Sequence, residues 1–294
     1  MPKDQLASIK TALLVPADAD GVYAGTELFE GVVEALSNFI SRYRPPGSEV
    51  LRFPPVMSRR QLEISGYLRS FPHLLGVVSC MHGNESDIRN LVERPHWVSA
   101  LSATELVLAP AACYPVYPMV AARGSVPTEG LRFDVTAYCF RREATHEFDR
   151  LQAFRMREYV CVGTADQVRD FRSTWMSRAQ SLASLLHLPC EIVPASDPFF
   201  GRMGRLAAAS QLEQDLKFEL IIPLHSDSKP TACVSFNYHQ DHFATSWGLR
   251  TASGSPAHTC CVAFGLDRLT LALFVTHGLD LQSWPAPVLE HLSI

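Results

Sequence analysis

Apolar residues recur every three or four positions in several segments of the chain, and this spacing predicts helices. Signals at the segment ends support the prediction. Thr26 stands where an N-cap residue is preferred, and Thr164 with Gln167 forms a capping-box pattern before the longest segment. Gly278 is in position to end the last one. The predicted helices cover residues 26–44, 165–188 and 203–216, and the segment between Gly265 and Gly278.

Other apolar stretches alternate with polar residues or run between turn signals, which is typical of strands. Residues 131–141 and 150–163 flank a short charged loop and predict an antiparallel hairpin. Residues 104–121 form an extended, apolar stretch punctuated by prolines. Helices combined with mostly hairpin-linked strands predict an α+β fold, with an antiparallel sheet flanked by helices. The other predicted strands are residues 48–55, which end at a proline pair, 217–224, 231–238 and the segment "CCVAFG".

The bulk composition limits the class of protein. The chain has 294 residues, 47% of them apolar and 19% charged, which suffices for one large domain or two closely fused ones, and we expect a single catalytic domain over 1–294. No run of about 18 uncharged apolar residues occurs and no apolar signal region opens the chain, so a cytoplasmic protein without a membrane span is expected. The net charge of −4 argues against nucleic-acid binding as the main task.

Eight cysteines are scattered along the chain without a CxxC pair. In a chain of this length without a secretion signal, they are expected to be mostly free thiols. A metal site would therefore have to be assembled from distant positions.

The predicted hairpin carries many charges. Because side chains alternate along a strand, Arg141 and Glu143 project to one face, and Phe154 shares a face with Glu158 on the returning strand. A purine could stack on Phe154 while Glu143 accepts from its amine and Arg141 neutralises a phosphate. The alternative is a solvated, salt-bridged hairpin, which is the usual outcome for hairpins of this composition. Similarly, Arg268 in an apolar helix either reaches a cleft or lies on the helix surface.

Together the segments resemble the three signature motifs of class II aminoacyl-tRNA synthetases, and the detailed match is to the seryl branch. These motifs are a helix and strand ending in proline, the hairpin, and the strand-Gly-x-x-Arg-helix segment "AFGLDRL". The seryl hairpin reads F-R-x-E, a loop, then R-x-x-x-F-x-x-x-E. Residues 140–143 with Arg150, Phe154 and Glu158 fit this spacing without a gap. The resemblance covers about residues 25–275.

The resemblance implies an enzyme that joins an amino-acid carboxylate to the α-phosphate of ATP, giving an aminoacyl-adenylate and pyrophosphate. Arg141 would hold the α-phosphate and Glu143 the adenine amine, while Phe154 would stack on the adenine. Arg268 would cover the other face and reach the terminal phosphate, and Arg150 is expected to contact phosphate. Such chemistry rests on positioning and charge neutralisation, so Arg141 and Arg268 are the predicted catalytic residues.

Mg²⁺ is expected to accompany ATP. The magnesium-binding carboxylate of the seryl family has no counterpart in residues 231–238, and Glu219 on the preceding strand is a weak candidate. Asn237 matches a polar residue near the family's substrate pocket, again weakly.

The chain departs from ordinary seryl enzymes where those bind the substrate amine. Their T-x-E triplet is replaced by "PAACY", with Cys113 at the glutamate position. The rare zinc-dependent seryl enzymes use a Cys, Glu, Cys set. By that resemblance Cys113, Glu158 and Cys261 would bind one Zn²⁺ per subunit and, through it, the amine of a small amino acid. Cys261 is preferred to Cys260 because of its spacing from Arg268. The alternative is a set of small buried residues, as free cysteines usually are.

Seryl-tRNA synthetases also need a tRNA-binding domain, and a core beginning near residue 25 leaves no room for one. The pattern resembles the truncated homologues called amino acid:[carrier protein] ligases, which transfer the activated amino acid to a carrier's phosphopantetheine thiol. Because carrier proteins are usually acidic, Arg202 and Arg205 in residues 197–214 are predicted to bind the carrier, although an ordinary surface helix would look similar. The first motif implies a homodimer, and tRNA is not expected as a substrate.

Parts of the pattern are also compatible with three other functions. A regulatory paralogue would bind amino acid or ATP without transfer, and the intact ATP motif argues against it. Aminoacylation of tRNA would need a separate tRNA-binding partner. A zinc hydrolase could use His239, Asp241 and His242, but the two histidines of an extended segment face opposite sides and fit a polar loop or pocket wall better. The choice between glycine and alanine, the identity of the carrier and the fate of the amino acid stay open.

Overall fold

The computed structural model describes residues 3–143, 149–224 and 230–294, and its main element is a mixed seven-stranded sheet. Most of the charged hairpin loop, residues 144–148, lies outside the described residues. Among the described helices, none is long and apolar enough to cross a bilayer. The strands are β1 (Leu14–Ala19), β2 (Val22–Gly25), β3 (Glu49–Arg52), β4 (Val56–Ser58), β5 (Val77–Cys80), β6 (Ser102–Leu108), β7 (Leu131–Phe140), β8 (Ala153–Gly163), β9 (Glu191–Pro194), β10 (Lys217–Ile222), β11 (Thr231–Gln240) and β12 (His258–Gly265). The helices are α1 (Lys3–Leu13), α2 (Glu27–Ser41), α3 (Arg59–Ile64), α4 (Tyr67–Ser70), α5 (Glu85–Val92), α6 (Val116–Arg123), α7 (Ala165–Leu185), α8 (Gly201–Glu213), α9 (His242–Trp247), α10 (Leu266–His277) and α11 (Ala286–Leu292).

The seven strands follow the order β3-β7-β8-β12-β11-β10-β9. Neighbours are antiparallel except β3 and β7, which run parallel with Glu49 opposite Phe133. The predicted α+β fold is confirmed, but the sheet is mixed rather than purely antiparallel. A parallel pair needs a long crossover connection. Residues 53–130 supply it, and they carry the small sheet β4-β6-β5 and helix α6.

Strand alternation gives the sheet two faces with different surroundings. On one face, Tyr159 of β8 and Phe264 of β12 pack with α2, α7 and α10 in a large core cluster. Trp175 of α7 lies 4.7 Å from Tyr159, centroid to centroid. Each buried side chain of this size contributes roughly 1.5–3 kcal/mol. The other face packs against α6 and α9 in a second cluster that includes Cys113 and Cys261.

A buried ion pair fastens α2 to the sheet. The side chains of Arg157 and Asp134 are both fully buried, and their Nη2 and Oδ2 atoms lie 2.5 Å apart. Arg157 also donates to the Ser37 carbonyl at 2.6 Å and to the Ser41 hydroxyl at 2.7 Å, both on α2. Arg44, just beyond that helix, lies 2.6 Å from the same carboxylate. Charge therefore holds the helix of the first motif against the hairpin strands.

The capping signals were correct at one helix and incomplete at another. At α7 the Thr164 amide donates to the Gln167 side chain at 2.9 Å, and the Gln167 amide donates to the Thr164 hydroxyl at 3.4 Å, which confirms the capping box. Thr26 stands at the N-cap of α2, but its hydroxyl donates to the Ala12 carbonyl at 3.1 Å instead of capping. The competing acceptor belongs to α1, which the local sequence pattern does not reveal.

Residues 104–121 form a strand, a turn and a helix, so the prediction of one extended stretch was wrong. β6 ends at Leu108 and α6 begins at Val116. Pro118 occupies the third position of α6, where an N–H would have no partner within the helix. A proline-rich segment can therefore become helical, and Cys113 lies in the turn before it.

Candidate active site and metal centre

A cavity of about 420 Å³ opens on the second face of the sheet. Its floor consists of side chains from β8, β10, β11 and β12 and from the residues that follow β7. Its walls come from the turn after β6, from the start of α10, from residues 65–74 and from residues 197–199. The segments that carry the second and third predicted motifs therefore meet in one place.

Four of the five predicted ATP-binding residues line this cavity, namely Arg141, Glu143, Phe154 and Arg268. The Arg141 guanidinium lies 5.6 Å from the centroid of the Phe154 ring. Its Nε donates to the Pro110 carbonyl at 3.0 Å, which orients the side chain. A cation beside an aromatic ring that lines a cavity is a suitable arrangement for a base and its phosphate.

Arg150, the fifth predicted residue, is not one of the lining residues. Its Nη1 lies 3.3 Å from Oε2 of Glu143, so the predicted phosphate contact is ion-paired with the predicted adenine contact. The two side chains are 46% and 25% exposed. An ion pair with this much exposure contributes roughly 0–1 kcal/mol, so it offers little resistance to a nucleotide that takes over either partner.

Arg268 points into the cavity rather than lying on the helix surface. Its Nε donates to the Asp149 carbonyl at 2.9 Å and its Nη1 to the Ala232 carbonyl at 3.0 Å. These two bonds hold the guanidinium beside the start of β11. The reading of Arg268 as a solvated surface residue is therefore incorrect.

Cys113, Glu158 and Cys261 lie together, and their ligand atoms are all within 4.8 Å of one another. All three residues are buried. Glu158 of β8 pairs with Ala263 of β12, two residues from Cys261, so strand alternation turns both side chains to the same face. Cys113 joins them from the turn between β6 and α6.

One oxygen of the Glu158 carboxylate accepts hydrogen bonds from the backbone, and the other has no hydrogen-bond partner among the described residues. Its Oε1 accepts from the amides of Ala112 at 2.7 Å and Cys113 at 3.1 Å. Its Oε2 is buried and has no hydrogen-bond partner among the described residues. An unpaired buried oxygen costs about 1–3 kcal/mol or more, which a cation would relieve. Two thiols and a carboxylate oxygen are a donor set typical of zinc, so these residues fit that ion.

The pKa values of the Cys113 and Cys261 thiols depend on their burial and on their closeness to each other and to Glu158. Hydrogen bonding to Cys261, burial and the nearby Glu158 raise the pKa of the Cys113 thiol well above its ordinary value. For Cys261, the hydrogen bond with Cys113 lowers the pKa, but burial and Glu158 outweigh it and the net shift is upward. A bound dication would lower both thiol pKa values, because it binds the thiolate form and displaces the proton.

The neighbouring Cys260 faces the other side of β12. Its Sγ lies 3.5 Å from the Val168 carbonyl, in a cluster with Cys161. The preference for Cys261 over Cys260 therefore agrees with the geometry. Asn237 pairs with Cys261 across β11 and β12, and its Nδ2 lies 3.4 Å from the cysteine sulfur.

Two known proteins match the chain over nearly its whole length. It is 57% identical over 295 residues to "Amino acid--[acyl-carrier-protein] ligase 1" of Bradyrhizobium diazoefficiens, with 99% of this chain and 90% of that protein covered. It is 54% identical over 297 residues to ligase 2 of the same organism, with 100% and 89% covered. The chain belongs to the amino acid--[acyl-carrier-protein] ligase family. No model in a collection of protein-family models matches it.

The fold of this family member is also found in a larger synthetase. M. kandleri seryl-tRNA synthetase, solved in complex with A. aeolicus tRNASec, superimposes with a TM-score of 0.84 and 21% identity. The alignment covers 100% of this chain and 60% of that one. The chain therefore has the class II seryl-tRNA synthetase core fold that the sequence motifs predicted.

Helix α8 of this ligase-family chain presents the two arginines predicted to bind a carrier. Arg202 and Arg205 are both exposed. Met203 and Leu206 on the same helix are 74% and 60% exposed, and Phe200 just before it is 57% exposed. Exposed apolar side chains between cations are typical of a protein-binding surface.

The segment before α8 reaches into the cavity through an ion pair that was not predicted. Nζ of the buried Lys217 lies 2.5 Å from Oδ1 of Asp197 and 3.1 Å from Oε1 of Glu219. Phe199 stacks on Phe71 with centroids 5.0 Å apart. The pairing with an ammonium leaves Glu219 poorly suited to bind Mg²⁺. Glu219 is a near neighbour in sequence, but Asp197 lies 20 residues away, so the local sequence does not mark Lys217 as buried.

Sequence reasoning also missed the residues around the predicted metal ligands. His239, expected only as a pocket wall or a hydrolase residue, lines the cavity with Nε2 3.8 Å from the Cys261 sulfur. Burial lowers the pKa of His239 to about 3, so the ring is neutral at pH 7. His242 begins α9 and its Nε2 faces the Ser65 carbonyl at 3.0 Å, so the two histidines do not form a ligand pair. The period-two spacing of Asn237 and His239 was the available signal that they share a face.

Proposed function

We propose that the protein activates a small amino acid with ATP as an aminoacyl-adenylate and transfers it to the phosphopantetheine thiol of a carrier protein. The observation that carries the proposal is the 57% identity, over nearly the whole chain, with an amino acid--[acyl-carrier-protein] ligase. The cavity supports it because cationic, aromatic and metal-ligand side chains line one space. A nucleotide and a small substrate must meet there for the first step.

In the first step a carboxylate oxygen of the amino acid attacks the α-phosphorus and pyrophosphate leaves. Arg141 neutralises the α-phosphate while the Phe154 ring beside it stacks on the adenine. Glu143 accepts a hydrogen bond from the adenine amine, and Arg268 meets the terminal phosphate from the start of α10. Holding the reactants in line and neutralising charge supply most of the rate in such reactions. Mg²⁺ accompanies ATP as part of that substrate.

Cys113, Glu158 and Cys261 are the residues that would hold a zinc ion. When bound, the ion supplies a Lewis-acidic position for the substrate amine. The protein keeps the ligands in place, with Glu158 held by two backbone amides. Tyr117 and Phe243 stack beside this region at 3.7 Å and leave little freedom to enlarge it. Discrimination by one methyl group amounts to about 1–3 kcal/mol, so glycine and alanine must be compared directly.

In the second step the thiol sulfur attacks the carbonyl carbon, the mixed anhydride bond breaks, AMP leaves and the thiol proton passes to solvent. Arg202 and Arg205 provide charge complementarity to an acidic carrier, while Met203 and Leu206 provide apolar contact. Residues 197–199 connect α8 with the cavity, so a carrier docked on α8 has its prosthetic arm near the adenylate. A good nucleophile such as a thiol needs no elaborate general base.

The proposal includes a homodimer formed through α2 and β3. Strand β3 lies at the edge of the seven-stranded sheet, and its Val50 is 44% exposed. An exposed edge strand is available for pairing with another chain. Light scattering of the purified protein tests this part separately from catalysis.

The first experiment measures exchange of labelled pyrophosphate into ATP with glycine, alanine or serine, before and after zinc chelation. Exchange with one small amino acid that disappears on chelation supports the adenylation site. The second experiment supplies the carrier with and without its phosphopantetheine arm and measures thioester formation. Exchange without transfer to the complete carrier favours a different acceptor, such as tRNA with a partner protein. No exchange by a folded, zinc-loaded dimer contradicts the proposal and favours a regulatory paralogue.

A further inference from the structure

We infer that His239 is a positioning residue of the metal centre, which donates a hydrogen bond from Nε2 to the Cys261 sulfur. The inference rests on the zinc centre proposed above. Hydrogen bonds from Tyr117 and Thr259 to Nδ1 fix the tautomer of His239 with its hydrogen on Nε2, where it can be donated to the sulfur.

Strand β11 has a β-bulge at His239, next to Cys261. Tyr238 pairs with Cys260 and Gln240 pairs with Thr259, so His239 is an extra residue without a partner on β12. Gln240 has a φ of 51°, in the left-handed region that residues with a side chain seldom adopt. Bulges are frequent next to active sites, where they redirect a side chain. Here His239 lies on the same face as Asn237, and the bulge leaves its imidazole beside Cys261 without a cross-strand partner.

The two ring nitrogens of His239 have different partners. Nδ1 lies 3.0 Å from the Thr259 hydroxyl and 3.5 Å from the Tyr117 hydroxyl. Both of those residues are fully buried, and either hydroxyl can donate to Nδ1. A ring that accepts at Nδ1 carries its hydrogen on Nε2, which lies 3.8 Å from the Cys261 sulfur. The opposite tautomer would turn the Nε2 lone pair towards a thiolate, which repels it.

The hydrogen bond from His239 to Cys261 would stabilise a ligand set that carries excess negative charge. Two thiolates and one carboxylate around a dication leave a net negative charge. Hydrogen bonds from His239 and Asn237 to Cys261 spread that charge over neutral donors and hold the cysteine side chain in its ligand position. The amides that bind Glu158 do the same for the carboxylate. Loss of such a partner typically lowers metal affinity about 10- to 100-fold.

A role in packing alone predicts a different response to substitution. The His239 ring lies 5.0 Å from Phe243 and 6.0 Å from Tyr117, centroid to centroid, both edge to face. If packing is all that matters, phenylalanine replaces histidine well and glutamine does not. If the hydrogen bond matters, glutamine serves better, because its terminal amide can donate from about the position of Nε2.

The test compares wild-type protein with the His239→Phe and His239→Gln variants. Zinc affinity is measured by competition with a chelator, and the thiolate-to-metal charge-transfer band is recorded after Co²⁺ substitution. His239→Phe should lose about 10- to 100-fold in affinity and shift the band to lower energy, because a thiolate without its donor is more electron-rich. His239→Gln should stay near wild type in both. His258→Phe is the control, since His258 contacts Tyr238 on the opposite face of the sheet.

Each outcome is decisive. The inference is overturned if His239→Phe keeps wild-type affinity and spectrum, or if glutamine proves worse than phenylalanine. Should His239→Phe fail to fold, Thr259→Val combined with Tyr117→Phe removes both hydroxyls at Nδ1 without touching the ring and should move both readouts in the same direction. Unchanged readouts in that variant contradict the inference. Wild-type protein that binds neither zinc nor Co²⁺ refutes the proposed zinc centre and this inference with it.

Discussion

Replacement of Asp134 by alanine tests how much the buried ion pair with Arg157, on the sheet face opposite the cavity, stabilises the fold. The Asp134 carboxylate is fully buried and faces the equally buried Arg157, which belongs to the same strand as Glu158 but points to the other face. The substitution removes the carboxylate and leaves the guanidinium of Arg157 with its bonds to Ser37 and Ser41 on α2. The positive charge of Arg157 then stays buried without its ion-pair partner.

Breaking a buried pair by removing one partner typically costs about 3–5 kcal/mol, a large part of a total stability of about 5–15 kcal/mol. Arg44 also loses its bond to Asp134, but that side chain is 35% exposed and can turn to water. We therefore expect Asp134→Ala to lower the free energy of unfolding by about 3–5 kcal/mol. The matched control is Glu105→Ala, because Glu105 pairs with Arg59 at 2.8 Å while the two side chains are 80% and 44% exposed. That substitution should cost roughly 0–1 kcal/mol.

Urea unfolding at one fixed protein concentration measures both variants, since dimerisation would make the apparent stability depend on concentration. A loss of less than about 1 kcal/mol for Asp134→Ala, similar to the control, would refute the reasoning. The pH dependence gives a second check. Burial alone would raise the pKa of Asp134, but Arg157 and Arg44 hold it below its usual value. The stabilisation is therefore present above a pH of about 4 and is lost as the pH falls through the lowered folded-state pKa, so the two proteins should converge in acid.

Three further predictions concern the metal ligands, the aromatic ring for adenine and the helix proposed to bind the carrier. Cys261→Ser should abolish stoichiometric zinc binding, whereas Cys260→Ser should retain it; equal zinc contents by atomic absorption would contradict the ligand assignment. Phe154→Ala should raise the KM for ATP through the loss of about 1–3 kcal/mol of stacking, and an unchanged KM would argue against adenine at this ring. The double change Arg202→Glu and Arg205→Glu should slow transfer to the carrier while ATP–pyrophosphate exchange stays normal.

The carrier prediction needs a control for the added negative charge. Arg178 is exposed on α7, the helix that packs on the sheet face opposite the cavity. Arg178→Glu should leave transfer unchanged. Transfer that is equally slow in both proteins would point to a general charge effect, and normal transfer in the double variant would contradict docking on α8.

Local patterns predicted local structure well. The hairpin was expected over 131–141 and 150–163 and forms over Leu131–Phe140 and Ala153–Gly163. Period-two alternation also indicated that Phe154 and Glu158 share a face, and both line the cavity. Arg141 and Glu143 line it as well, but they lie beyond the end of β7. The local pattern was insufficient to predict the secondary structure of residues 104–121, which form a strand, a turn and a helix. Residues 116–121 are helical despite Pro118.

The sequence by itself determined the motifs, their spacing and the strand alternation, and with them the face of the sheet to which Glu158 and Cys261 belong. These depend on neighbours within a few residues, so a short window contains the information. The tertiary structure decided how Cys113 reaches Glu158 through backbone amides, how close the His239 ring lies to the Cys261 sulfur, and how Lys217 is buried beside Asp197. Such contacts join residues that are distant along the chain, and their free energy depends on burial and geometry that exist only after folding.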